Sequence, residues 1–234
     1  MKQQHFNQPI EECDLSLSSL FKHLTPEEVE KIILEKTQSS YKKGTYIYHE
    51  GNRITGCYLV MSGILKIFKT GIDGKEQIIR FAKPFDIIGF RSVLSGELAC
   101  TTAKTLEDST LCYIPQESLF YLVKNNGNFS LELLQLSCRE LGEANEYITD
   151  IAQKTVRERL AEILIHLKEN FGLDGDNVLQ ISLTREELAN IVGTATESVI
   201  RLLSEFKSDN VIEINGRKIK LLNYKALVKI ANFN

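Results

Sequence analysis

The spacing of apolar positions changes character twice along the chain. From Tyr41 to Ile114, short runs rich in β-branched and aromatic residues are broken by glycines: TYIYHEG, CYLVMSGILKIFKTG, EQIIRF, FDIIGF and STLCYIP. This texture predicts several short antiparallel strands forming a small barrel or sandwich. Asp73-Gly74, between ILKIFK and EQIIRF, predicts a hairpin. Ahead of this region, Thr25 is a helix N-cap, Pro26 fits the first helical position and Glu28 closes a capping box. A helix is therefore expected to about Glu35. From about Glu117 to Asn170 proline is absent, glycine is scarce and the period becomes helical. Leu134, Leu141 and Ile148 recur at seven, and Ser137, Ala144 and Ile151 follow each of them by three, an a/d seam of about three heptads. A helix lying on the barrel and a helix pairing with a second copy would both show such a seam. Thr155 caps a further helix, which Gly172 closes, so a domain boundary is expected near residues 150–155.

The most informative segment is LTREELANIVGTATESVIRLL, residues 183–203. Thr184 with Glu187 forms a capping box for one helix, and Thr194 with Glu197 forms another for a second. Between them Gly193 suits a tight turn with a left-handed backbone. The small Ala189, the glycine four residues on and the apolar Val199 six after that have helix-turn-helix spacing. Next come Val211-Ile-Glu-Ile, Asn215-Gly216 and Arg217-Lys-Ile-Lys-Leu-Leu, a hairpin with a type I′ signal and a basic tip at Arg217, Lys218 and Lys220. A helix-turn-helix followed by a basic hairpin is a winged helix suited to phosphate contact. On the second helix Glu197, Ile200 and Arg201 share a face. In a major groove Arg201 can pair bidentately with guanine, and Glu197 can accept from a cytosine amino group. Glu197 serving only as a cap, and Arg201 only in an i, i+4 ion pair, are the plainer readings. Thr184, Arg185, Thr194, Thr196 and Ser198 complete the candidate DNA-facing set.

Composition narrows the classes. Apolar residues make up 43% and charged residues 25%, which excludes a disordered or fibrous chain. No apolar run is long enough to span a bilayer, and the first twenty residues lack a signal-peptide core, so a cytoplasmic protein without membrane contact is expected. The net charge of −3 argues against nucleic acid taken alone. The acidic excess, however, lies before residue 154, which leaves a near-neutral C-terminal part able to present a basic face. The five cysteines are dispersed without CxxC spacing and the four histidines are scattered, so no metal site is expected. GxSxG, GxGxxG and GxxxxGK[ST] are absent, and no nucleophile, base and orienter converge, so no catalytic residues are assigned.

Taken together, KKGTYIYHEGN, YLVMSGILKIFKTGIDGKEQIIRF, FDIIGF and LTREELANIVGTATESVIRLL resemble the CRP/FNR superfamily of bacterial transcription regulators, with the FNR branch nearer than the cyclic-AMP receptor. The resemblance runs from about residue 13 to the C-terminus. It implies an α+β chain whose N-terminal double-stranded β-helix (a β-roll like cyclic-nucleotide-binding domains) is joined by a long dimerisation helix to a C-terminal winged helix-turn-helix. The divisions expected are 1–115, 116–153 and 154–234. The resemblance also turns the seam into a dimer helix carrying Leu134, Leu141, Ala144, Ile148 and Ile151. It implies a homodimer on palindromic double-stranded DNA that works with RNA polymerase. The effector pocket it implies falls at Gly89, Phe90, Cys100, Thr101, Thr102, Ala144 and Asn145.

At that pocket the chain departs from the family pattern. Phe90 stands where cyclic-nucleotide binders carry the ribose-binding glutamate, and Ala99-Cys100-Thr101-Thr102 lacks their phosphate-binding arginine. A buried phosphate without that arginine is costly, which argues against cyclic AMP. Cys13 and Cys112 match two of the four cysteines that hold the FNR-branch [4Fe–4S] cluster, and the other two are missing, which argues against a cluster. A haem held by histidine stays open, although no spacing points to one, so no cofactor is assigned. The rival to a DNA-binding regulator is a small-molecule-sensing subunit acting through protein contacts. Loss of Glu197 and Arg201 would have favoured it, and both are present.

Overall fold

The computed structural model describes residues 18–232, apart from the side chains of residues 33 and 34. It divides into two compact units: Met1–Lys69 with Arg80–Glu140, and Thr70–Ile79 with Leu141–Asn234. The elements in chain order begin with α1 (Pro26–Glu35), β1 (Thr37–Tyr41), β2 (Tyr46–Tyr48), β3 (Gly56–Ser62) and β4 (Leu65–Thr70). After β5 (Glu76–Ala82) come β6 (Ile87–Ile88), α2 (Phe90–Ser95), β7 (Thr102–Thr105), β8 (Ser109–Pro115) and α3 (Gln116–Asn125). The long helix α4 spans Gly127–Gln153.

The strands form two four-stranded sheets, ordered β1-β8-β3-β6 and β2-β7-β4-β5, the antiparallel roll expected from the glycine-punctuated apolar runs. Successive residues of the run CYLVM serve different cores, which explains why it reads as continuously apolar. Cys57 and Leu59 join Cys112, Ile114 and Phe90 in a cluster beneath the helices, completed by Phe129 and Leu133 of α4. Val60 joins Leu65, Ile67, Ala103 and Leu111 in a cluster between the sheets. A sheet covered on both faces loses the apolar–polar alternation. At the N-terminus of α1 the capping box forms as the sequence predicts: Thr25 accepts from the Glu28 amide, and Glu28 accepts from the Thr25 amide at 2.8 Å.

The second unit contains α5 (Val156–Phe171), α6 (Arg185–Val192), α7 (Thr196–Ser208), β9 (Ile212–Asn215), β10 (Lys218–Leu221) and α8 (Tyr224–Ala231). Thr155 and Glu158 make the capping box of α5, and Gly172 ends it at φ 80°. Leu160, Leu164, Ala189, Val199, Phe206 and Leu227 are fully buried and form the core of the unit. The sequence pattern places the boundary at 150–155, whereas the units part within α4, between Glu140 and Leu141. The reason is a change of partners along the helix. Phe129 and Leu133 pack into the roll, while Tyr147 and Ile151 lie against Gly193.

Candidate nucleic-acid interface

Two helices and a hairpin build the interface. Thr184 accepts from the Glu187 amide at 3.0 Å and caps α6 as expected. Gly193 ends α6 at φ 73°, and the amides of Gly193 and Thr194 both donate to the Ala189 carbonyl, at 2.9 and 3.1 Å. Thr194 is thereby drawn into the termination of α6. The capping box expected from Thr194 and Glu197 does not form. The N-cap of α7 is Ala195, which makes no side-chain bond. The Glu197 carboxylate is not used as a cap, which removes the plainer reading of that residue.

Val199, Leu202, Leu203 and Phe206 bury one face of α7, and Glu197, Ile200, Arg201 and Ser204 stand exposed on another. Arg201 is 71% exposed and pairs with Glu205 at 3.6 Å, not with Glu197. Such an exposed i, i+4 pair is weak and yields readily to a better acceptor. Glu205 is also held by Arg157 at 2.8 Å. Ser204 was missed by the sequence reading, although the i+3 and i+4 steps from Arg201 and Ile200 mark it. Thr196 and Ser198 are partly exposed in the first turn of α7.

The wing is β9–β10, with Lys218 opposite Asn215. The two-residue turn is therefore Gly216-Arg217, one step later than the Asn-Gly signal implied. Only Gly216 has positive φ, so the turn follows the II′ pattern and not I′. Arg217 and Lys218 are exposed at the tip, whereas Lys220 is half-buried and bridges to Val178. Two of the expected DNA-facing residues also have structural work. The Thr184 hydroxyl oxygen accepts from the Glu187 amide in its cap. Arg185 donates to the Gly216 carbonyl at 2.7 Å, and burial pulls its guanidinium below the usual range. It braces the wing turn against α6.

The carbonyls that end α6 are all occupied from outside the helix pair. Asn190 accepts from Gln77, Ile191 from the Tyr147 hydroxyl at 3.4 Å, Val192 from Arg159 Nε at 3.0 Å, and Gly193 from Arg159 Nη2 at 3.5 Å. Thr194 accepts from Lys75 at 2.7 Å. A helix C-terminus leaves its last carbonyls unpaired, and here five donor contacts fix the turn between α6 and α7.

A cyclic nucleotide-binding domain model matches residues 38–126, and a Crp-like helix-turn-helix model matches residues 158–230. The transcriptional activator protein Anr of Pseudomonas protegens is 30% identical over 192 residues, 81% of this chain and 78% of its own. The chain belongs to the CRP/FNR superfamily. The fumarate and nitrate reduction regulatory protein of Escherichia coli is 27% identical over 225 residues, 94% of this chain and 89% of its own. The solved structure of FixK2 from Bradyrhizobium japonicum superposes with a TM-score of 0.75 at 25% identity, covering 83% of this chain and 96% of that one. As a CRP/FNR member the chain is a DNA-binding transcription regulator and not an enzyme.

The cavity at the positions expected for an effector is lined differently from the pocket the sequence implies. Gly89, Phe90, Cys100 and Thr101 do line one small cavity, together with Tyr48, Ser92 and two arginines, Arg80 and Arg91. Cationic groups are therefore present although residues 99–102 hold none, because β5 and α2 supply them. Thr102 is buried elsewhere and accepts from the Glu50 amide at 2.9 Å. Ala144 and Asn145 are exposed and outside the lining. The α4 residue at the cavity is Glu140, whose carboxylate meets Arg80 at 3.0 Å and Arg91 at 3.4 Å. The free volume is about 20 Å³, and burial pushes the Tyr48 phenol up to about 12.

Of the two cysteines matched to an FNR-type cluster, only Cys112 is among the described residues. Cys112 and Cys57 are fully buried in the apolar core, and burial pushes the Cys57 thiol up to about 12. Cys13 lies outside the described residues. Among the described residues no three His, Cys, Asp or Glu side chains converge on a metal position. No helix among them is long and apolar enough to cross a membrane.

Proposed function

We propose that the chain acts in the cytoplasm as a homodimer on a palindromic operator, recruits RNA polymerase, and answers to an effector that is not cyclic AMP and needs no metal cofactor. The observation that carries the DNA reading is the exposed Glu197–Ile200–Arg201 face of α7, set between a fixed turn and a basic wing. Arg201 donates to guanine O6 and N7, Glu197 accepts from cytosine, and Ile200 favours a thymine methyl. Arg217 and Lys218 supply phosphate contacts. The dimer reading is supported by the line Leu134, Leu141, Ile148 and Ile151 along α4, large apolar side chains left 44–66% exposed in one protomer. Against cyclic AMP stand the buried Phe90 in place of a ribose acid and a free volume about the size of one water.

Selection from a random duplex pool tests this. The enriched sequence should be two-fold symmetric, with half-site centres about 34 Å apart. Millimolar cyclic AMP should leave its affinity unchanged. A selected pool without symmetry would refute the dimer reading. An affinity raised by cyclic AMP would show that another cation does the work of the missing arginine.

A further inference from the structure

A larger cavity in the roll is separate from the one at Gly89–Thr101. It measures about 180 Å³, and it lies among residues 18–20, the β5–β6 turn and α4. It shares only Arg80 and Glu140 with the small cavity at Gly89–Thr101. Leu20, Phe85, Ile87 and Leu136 give it an apolar wall. A buried volume of about 150 Å³ is enough for benzene.

The charges that line it are unequally satisfied. Glu140 is paired with Arg80 and Arg91, Asp86 lies 3.7 Å from Arg80, and Glu132 lies 3.2 Å from Lys22. Each carboxylate thus has a cation. Arg139, exposed where it lines the cavity, has no ion pair or hydrogen bond among the described residues. The charge left to satisfy is positive.

The second observation is the backbone at Phe85. Lys83 to Asp86 is a tight turn closed by the Asp86 amide on the Lys83 carbonyl at 3.0 Å, with Pro84 at its second position. Phe85, at the third, has φ 75°. Glycine or asparagine takes that conformation readily, whereas a bulky side chain is strained there. The strain is held from both sides: the Phe85 amide donates to Val60 at 2.7 Å, and its carbonyl accepts from the Ser18 hydroxyl at 3.2 Å. The turn gains nothing from a phenyl ring. The cavity does, because the ring is one of its walls and remains 37% exposed. Strained residues of this kind collect at binding sites.

We propose that this cavity binds a small aromatic carboxylate, its ring against Phe85 and Leu136 and its carboxylate on Arg139. Because Leu136 and Arg139 belong to α4, occupancy bears on the helix that carries the dimer seam. That consequence rests on the function proposed above, and the binding itself does not.

The test is calorimetric titration of the full chain, without DNA, with benzoate and separately with benzylamine. Benzoate should give saturable heat and benzylamine none. Arg139→Glu should weaken benzoate about tenfold or more, the effect of losing a charge-assisted contact and adding a repulsion. Phe85→Asn should lose benzoate binding while its unfolding midpoint stays level or rises, since asparagine accepts the left-handed backbone. The proposal is overturned by absent benzoate heat, by benzylamine binding more tightly, or by benzoate affinity that ignores Arg139→Glu. A Phe85→Asn chain that unfolds earlier yet binds benzoate normally would also overturn it, since the ring would then serve the fold. With DNA left out, failure here leaves the operator reading standing, and failure of that reading leaves the cavity's result intact.

Discussion

Leu141→Asp should convert the protein to a monomer that no longer binds palindromic DNA. Leu141 sits at the middle of the α4 seam and is 61% exposed in one protomer, with Leu134 and Ile148 one heptad to either side at 60% and 66%. A leucine on a dimer seam meets its symmetry mate. Removing a buried leucine typically costs about 2–5 kcal/mol, and two facing carboxylates add to that. The helix itself should survive, since the Phe129 and Leu133 face is buried in the roll and is not touched. Sedimentation and circular dichroism separate the outcomes. A folded monomer with lost operator affinity is expected. A mutant that sediments as a dimer would show that the seam packs against something else.

Arg159→Ala should lower the unfolding midpoint and weaken binding to every DNA sequence, although Arg159 is not among the residues placed against DNA. Its guanidinium joins three pieces of chain. Nη1 donates to the carbonyls of Lys154 at 2.8 Å and Ile151 at 3.4 Å, and Nε and Nη2 donate to Val192 and Gly193. Each buried or half-buried acceptor left without a donor, at Lys154, Val192 and Gly193, costs about 1–3 kcal/mol, so a loss on the order of 3 kcal/mol is expected. For a domain of this size that is roughly 10 °C or more in midpoint. Arg159→Lys should rescue little, because a single ammonium cannot reproduce the fork. A variant that melts with the parent and binds operator normally would show that Tyr147, Gln77 and Lys75 hold the turn without it.

What could be read from the sequence follows from how local each cause is. The caps read at Thr25, Thr155 and Thr184 form because each needs only a side chain and an amide three residues away. The fourth, at Thr194, has the same letters and fails. The close of α6 takes the Thr194 amide, a competition between two elements that a single-element rule omits. The wing slips by one residue for a similar reason. Positive φ at Gly216 alone satisfies the turn, and the pairing of Lys218 with Asn215 fixes its place. The roll was legible as glycine-punctuated strands. The cavity chemistry was not, because Arg80, Arg91 and Glu140 come from β5, α2 and α4, and their spacing in sequence carries no sign that they meet. Matching along α4 pointed to Ala144 and Asn145, whereas the α4 residue lining the cavity is Glu140. Lys75 and Gln77 escaped notice for the same reason, as they act on the α6 end from the β4–β5 hairpin.

The central claim is that the exposed face of α7 reads bases while the wing positions the duplex. It is tested most directly by measuring affinity for the selected operator, and for copies with the guanine of each half-site replaced, across a range of salt concentrations, with Arg201→Ala and Lys218→Ala beside the parent. Arg201→Ala should lose about 1–3 kcal/mol per half-site on the intact operator, lose little on the substituted one, and keep the parent salt slope. Lys218→Ala should weaken all duplexes about equally and reduce the salt slope by about one per half-site. An Arg201→Ala chain that weakens every sequence alike, with a shallower salt slope, would make Arg201 a phosphate anchor and contradict base reading by this helix.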